Sequence, residues 1–252
     1  MGCIAEPGDA AESGRVVVTT RERLRPESHS DRRNERRVVP TVPTPSTRFL
    51  RSKRVVDVIV ATSVLVLGIP VFVVICLAVK LTSRGSAFYS CERVGRNGRP
   101  FRCLKFRTMV PNADESLRLI LRESSALTEE FEQSFKLCRD PRVTRVGRVL
   151  RRISLDELPQ FWNVLTGEMS VVGWRPIVSA EVARYGDAFP LVSSLRPGIT
   201  GLWQVSGRND VTYDERVRLD VEYRTRPSLQ ADVSIMWHTI RQLLRWWDNG
   251  AY

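Results

Sequence analysis

The sequence predicts a helix-rich α/β fold of the α+β kind. An N-terminal, membrane-inserted helix-break-helix precedes a compact domain that carries amphipathic interfacial helices. Three observations carry this prediction. Val58 to Val79 runs without a charged residue and is interrupted midway by Gly68-Ile69-Pro70. Asn97-Gly98 separates two short extended runs, which is a strong hairpin signal. Apolar residues recur at helical spacing at Leu117, Ile120, Leu121, Leu127, Phe131 and Phe135, and again at Leu229, Val233, Met236, Ile240, Leu243 and Trp247.

The composition suits one sizeable domain with accessory segments: 252 residues, 42% hydrophobic and 27% charged. Shifts in that composition divide the chain into a polar tail over 1–48, a membrane-inserted segment with its flanks over 49–84, and a larger domain over 85–252. A net charge of +11 calls for an anionic partner, whether nucleic acid, an acidic membrane surface or a phosphorylated substrate. Cys3, Cys76, Cys91, Cys103 and Cys138 form no CxxC pair, and His29 and His238 lie far apart, so a zinc site, a disulfide framework and histidine-based catalysis all lack support.

Residues 1–48 are rich in Arg, Glu, Asp, Ser, Thr and Pro and bury too little apolar surface to offset the entropy of ordering; the prediction there is disorder, with no secretory h-region. The uncharged run that follows would be ~33 Å long as a helix, against a hydrocarbon core of ~30 Å. Pro70 removes a backbone hydrogen bond at its midpoint and bends it. Basic residues flank both ends: Arg51, Lys53 and Arg54 before it, and Lys80, Arg84, Arg93, Arg96 and others after it. The positive-inside rule then places both ends in the cytoplasm, as a re-entrant helix would; a single span is the simpler alternative, because folded domains translocate largely regardless of charge.

In the second extended run, Lys105 and Arg107 fall on one strand face, as a phosphate clamp requires or as a solvated basic face would show. Asn112 to about Lys136 reads as one helix, with Glu129, Glu130 and Glu132 on a solvated side. Phe161 to Leu165 reads as a short helix that Thr166-Gly167 ends. Arg196 to Asp210 is a glycine-punctuated loop, suited to close backbone approach to a phosphate or to an ordinary turn. The last helix packs on the core or lies at the membrane interface, and its tryptophans and arginines favour the interface.

Chemistry centres on Ser154-Leu155-Asp156-Glu157-Leu158-Pro159-Gln160, two adjacent carboxylates among arginines. Ser154-x-x-Glu157 is also a capping box, which would make both polar residues structural. Pro159 favours a helix beginning near Leu158, where proline is at home, leaving Asp156 and Glu157 in an exposed turn ahead of it.

Taken with these residues, five motifs in order resemble the bacterial sugar transferase family, the small monotopic phosphoglycosyl transferases. They are Lys53-Arg54-x-x-Asp57, Arg93-Val94-Gly95, Lys105-Phe106-Arg107-Thr108-Met109, Asp140-Pro141-Arg142 with Ser154 to Gln160, and Arg196-Pro197-Gly198-Ile199-Thr200-Gly201. Gly207-Arg208-Asn209 and the terminal Gly250-Ala251-Tyr252 are similar to the undecaprenyl-phosphate galactose or glucose phosphotransferases of exopolysaccharide synthesis. The resemblance implies an enzyme of the bacterial inner membrane, with its catalytic domain on the cytoplasmic face. That enzyme would take hexose 1-phosphate from a UDP-hexose to undecaprenyl phosphate, release UMP and supply downstream glycosyltransferases. It further implies Asp156 as nucleophile, Mg2+ carried by Glu157, and phosphate or substrate contacts from Lys105, Arg107, Thr108, Arg151, Arg175 and Arg196, with the membrane helix broken at Pro70. Trp174 stands where the family has proline and Ile69 where it often has serine. A nucleic-acid binder would leave the paired acids without a purpose, and an inactive scaffold of a glycan-assembly complex would release no UMP.

Overall fold

The computed structural model describes residues 44–134, 137, 139–207 and 211–249, with the side chains of 132–134 and 245–249 left aside. The predicted disorder of the first 43 residues, the roles given to Phe135, Glu132 and Trp247, and the Arg208-Asn209 and Gly250-Ala251-Tyr252 motifs lie outside the described residues and side chains.

Helix α1 (Thr47–Leu67) begins where Ser46 Oγ accepts the Phe49 amide, and α2 (Ile69–Thr82) follows at once, bent from it by 61°. The bend has a simple cause. Gly68 closes α1 by donating to the Val64 carbonyl, and Pro70, lacking an N–H, sits in the first turn of α2 where none is needed. Among the described residues no single helix is long and apolar enough to cross a membrane, whereas the bent pair together has that length and composition. Its outer surface is apolar: Leu67 and Leu81 are 80% and 85% exposed, and Val66, Val73, Val74 and Leu77 are also open.

Two of the predicted flanking charges turn inward instead. Lys53 is buried and donates to Asp232 Oδ2 at 2.8 Å, while Tyr223 donates to the other oxygen. Arg54 caps the carbonyls of Val164 and Leu165, and Asp57 accepts from Ser170 Oγ and the Val171 amide at 2.9 Å each. Lys53, Arg54 and Asp57 thus fasten α1 to the rest of the protein, because a charge taken out of water must find a partner.

The hairpin forms as predicted, from β1 (Phe88–Val94) and β2 (Pro100–Phe106), antiparallel with Cys91 opposite Cys103. Asn97 and Gly98, both at positive φ, sit inside a longer loop closed by Gly95 N–H donating to the Arg99 carbonyl. The predicted helix over 112–136 is two helices, α3 (Ala113–Glu123) and α4 (Ser125–Ser134). The break falls at Ser124, which is extended and whose Oγ accepts the Leu127 amide, so that a local cap competes with continuation.

Helix α5 (Arg145–Arg152) is capped by Thr144, which accepts the Gly147 amide. A 3₁₀ turn over Leu155–Glu157 then leads into α6 (Gln160–Thr166), which Gly167 ends in the left-handed conformation. The glycine-punctuated stretch from Arg196 is not an open loop. It forms β4 (Gly198–Thr200), parallel to β3 (Ser170–Val172), and a short helix over Leu202–Ser206. A Cβ on Gly198 would lie 2.1 Å from the Gly173 nitrogen, so pairing this close explains the glycine.

Between the two strands, short helical turns over 179–193 wrap Trp174, whose indole N–H donates to the Leu195 carbonyl against Tyr185 and Phe189. After the short helices α7 (Val182–Tyr185), α8 (Phe189–Ser193) and α9 (Leu202–Ser206), the described residues end in α10 (Tyr213–Thr225) and α11 (Leu229–Asn249). Ile235 and Met236 of α11 join the main core with Ala61, Val164, Met169 and Tyr223, while Val233, Trp237, Ile240 and Leu244 face outward. The inner side of the last helix therefore packs on the core as one of the two readings had it, and its outer side is apolar and exposed.

Candidate active site

Three segments meet around the paired acids. Strand β2 brings Lys105, the 3₁₀ turn brings Asp156 and Glu157, and the chain after β3 brings Arg175. Lys105 Nζ lies 2.7 Å from Glu157 Oε1 and 3.7 Å from Asp156 Oδ2, and Arg175 donates to the same Glu157 oxygen at 3.1 Å. The capping box does not form: Ser154 has a left-handed backbone (φ 58°) and its side chain caps nothing. Pro159 precedes α6, much as the proline rule requires.

The acids are not exposed, as the sequence reading had it. Asp156 is 7% exposed and Glu157 half-buried, because two cations cover them. Burial pushes the Asp156 carboxyl above its ordinary range, with Glu157 adding to the rise and Lys105, Arg151 and Arg175 opposing it. Burial acts on Glu157 in the same direction, yet Lys105 and Arg175 overcome it and hold its carboxyl well below the usual range. Lys105 is in turn held above the ordinary ammonium value, the two carboxylates outweighing its desolvation. Of the two adjacent carboxyls, Glu157 is thus favoured in its ionised form by its two cations, while burial works against ionisation of Asp156.

Arg151 stands at the margin of this group. Its Nε donates to Thr108 Oγ1 at 2.8 Å, and the Thr108 carbonyl in turn accepts the Thr144 amide at 3.0 Å. Gly147 lets α5 approach this closely, since a Cβ there would stand 2.0 Å from the Thr108 oxygen. Thr108 therefore orients Arg151, whose charge acts on Asp156.

Two further residues of the predicted set stand elsewhere. Arg107 lies past the end of β2 and donates to the carbonyls of Ser83 and Arg84 and to Ser83 Oγ, tying down the exit from α2. Arg196 donates to the Gly167 carbonyl at 2.7 Å and caps α6 near Arg54. Pro70 marks the bend between the apolar helices.

Among the described residues no group of three or more acidic, histidine or cysteine side chains could hold a metal alone. The site nevertheless suits Mg2+, which commonly binds through one or two carboxylates plus substrate phosphates. Both cations take Oε1 of Glu157, so the second oxygen of that carboxylate is left for an ion.

Comparisons with known proteins bear on this geometry. The description of the bacterial sugar transferase family matches residues 48–246. The UDP-galactose-lipid carrier transferase of Erwinia amylovora is 47% identical over 207 residues, 82% of this chain and 42% of that protein. The exopolysaccharide production protein ExoY of Rhizobium meliloti is 49% identical over 189 residues, 75% of this chain and 84% of that protein. The undecaprenyl-phosphate galactose phosphotransferase of Salmonella typhimurium is 47% identical over 208 residues, again 82% and 42%. The chain thus spans less than half the length of two of these relatives and most of the length of the third.

Proposed function

This chain belongs to the bacterial sugar transferase family, and on that premise we propose that it transfers hexose 1-phosphate from a UDP-hexose to undecaprenyl phosphate, beginning exopolysaccharide synthesis. The observation that carries the reading is the buried Asp156, 3.7 Å from Lys105, beside a Glu157 that Lys105 and Arg175 both engage. A carboxylate held basic and dry in a cationic setting is a nucleophile suited to an anionic phosphorus centre.

In the first step an Asp156 oxygen forms a bond to the sugar-linked phosphorus, and the bond from that phosphorus to the bridging oxygen breaks, so that UMP leaves with the electron pair. An acyl phosphosugar remains on Asp156. An oxygen of undecaprenyl phosphate then attacks the same phosphorus and the carboxylate departs, giving the lipid diphosphate sugar. Arg151 and Arg175 neutralise the phosphates, with Thr108 setting the direction of Arg151. Glu157 would hold a magnesium ion, which would supply charge neutralisation for the leaving UMP. Arg107 and Arg196 serve this chemistry by holding α2 and α6 in place.

The bent pair of apolar helices would dip into the cytoplasmic leaflet of the inner membrane and return, bringing the site to a lipid phosphate at the surface. The relatives named for galactose make UDP-galactose the first donor to test, with UDP-glucose second. The test is UMP release in detergent with magnesium and undecaprenyl phosphate. Release from one sugar that needs both the lipid for turnover and an intact Asp156 supports the transferase. Folded protein that releases UMP from neither sugar would favour the scaffold reading.

A further inference from the structure

Asn163 is 2% exposed in the middle of α6, whose buried residues also include Gln160 and Val164. A buried amide is costly unless it is satisfied, and this one is fully engaged. Its Oδ1 accepts the Leu104 amide at 3.0 Å, and its Nδ2 donates to the Arg102 carbonyl at 2.8 Å and to Glu168 Oε2 at 2.7 Å. Those partners fix which end of the amide is which. Turned over, the oxygen of Asn163 would face the Arg102 carbonyl and the Glu168 carboxylate, three acceptors together.

The place of these bonds matters more than their number. Arg107 N–H bonds to the Ala87 carbonyl and Gly95 N–H to the Arg99 carbonyl, so the odd-numbered residues of β2 exchange bonds with β1. Arg102 and Leu104 therefore turn their backbone groups to the free edge of β2, and Asn163 reads that edge as a neighbouring strand would. The next residue along is Lys105, whose ammonium reaches Glu157 at 2.7 Å and Asp156 at 3.7 Å. The two acids in turn sit in the turn leading into the helix that carries Asn163.

We infer that Asn163 is the positioning residue of the site: its amide, oriented by Glu168, locks the edge of β2 to α6 and so sets Lys105 against Asp156 and Glu157. This rests on the reading that the paired acids are the reacting centre and adds the device that aligns them. The groups facing Asp156 are Lys105 from β2, Glu157 from its own turn, Arg151 from α5 and Arg175 after β3. Of these, only Lys105 depends on the Asn163 bonds.

The chain has four lysines, Lys53, Lys80, Lys105 and Lys136, so competitive amine labelling read by mass spectrometry resolves Lys105 without any turnover. Lys53, buried in its own pair with Asp232, is the internal control. In Glu168→Gln, which keeps the fold but loosens the amide, and in Asn163→Ala, Lys105 is expected to label several-fold faster than in the parent while Lys53 is unchanged. If the parent releases UMP, the same variants are expected to lose roughly ten- to a hundredfold in kcat with KM for the UDP-hexose kept, since misplacement of about 1 Å costs on that order. Lys105 labelling at the parent rate in folded variants overturns the inference, and so do Lys53 and Lys105 rising together. An inactive parent with selective Lys105 labelling would leave the positioning role standing and count against the transferase alone.

Discussion

Replacing Lys105 by methionine tests how far the site depends on a single cation. Lys105 Nζ lies 3.7 Å from Asp156 Oδ2. At an effective dielectric of ~20 that separation corresponds to an attraction of ~4 kcal/mol before screening, which favours the ionised form. The lysine side chain is 22% exposed, and screening by water reduces that attraction. The Asp156 carboxyl, already raised by burial, rises further in Lys105→Met, so less of it is ionised at a given pH. Glu157 keeps Arg175 at 3.1 Å and stays charged. The expected result has three parts. The acid limb of kcat/KM moves to higher pH, because Lys105 no longer opposes the burial of Asp156. The plateau kcat falls by roughly 10²–10³, as when one preorganised charge is removed. Thermal stability drops by about 1–3 kcal/mol from the carboxylate oxygen left under-satisfied. UMP release across pH, with a melting curve on the same preparation, measures all three. A folded Lys105→Met protein with the parent's acid limb and plateau would refute the reasoning.

Other consequences follow from the packing. Asp220 is buried with Tyr185 donating to it at 2.8 Å, and burial pushes its carboxyl up to about 7. A folded-state pKa above the unfolded value means that its contribution is lost as pH rises through about 7. Asp220→Asn should therefore raise the melting temperature more at pH ~8 than at pH ~5, and an equal change at both would contradict the assignment. Gly147→Ala places a Cβ 2.0 Å from the Thr108 oxygen. It is expected to push α5 away, free Arg151 from Thr108 and lower both stability and UMP release, whereas an unchanged melting curve would show that α5 adjusts freely. Asp232→Ala leaves Lys53 buried without its carboxylate, at a cost of about 3–5 kcal/mol. Limited proteolysis should then cut near α1 or α11 first, and parent-like resistance would count against the clasp.

The charges of the site were legible in the sequence, and its geometry was legible only in part. Adjacent acids among arginines stood out from composition, and Pro159 separated the turn from the helix after it. Their burial did not show, because it depends on Lys105 and Arg175, which come from segments about 50 and 18 residues away. Arg107 reads as a partner of Lys105 from strand alternation alone. The strand ends at Phe106, and one residue past it the side chain turns to Ser83 and Arg84. Lys53 and Arg54 look like charges flanking a membrane segment, and only tertiary contact with Asp232 and the end of α6 turns them inward. Asn163 carried a faint signal, a poor helix former inside Phe161-Trp162-Asn163-Val164-Leu165. The parallel pairing of β3 with β4 was hidden because such short strands have no periodicity of their own, and Gly173 and Gly198 matter only once the two backbones meet.

The most direct measurement is the intact mass of the protein after incubation with UDP-galactose or UDP-glucose and magnesium, with undecaprenyl phosphate left out. The account predicts a mass increase of one phosphohexose on the parent chain, localised by fragmentation to Asp156, lost on adding undecaprenyl phosphate and absent in Asp156→Asn. A parent that turns over both substrates without ever carrying the adduct, or an adduct that persists in Asp156→Asn, would contradict Asp156 as the nucleophile.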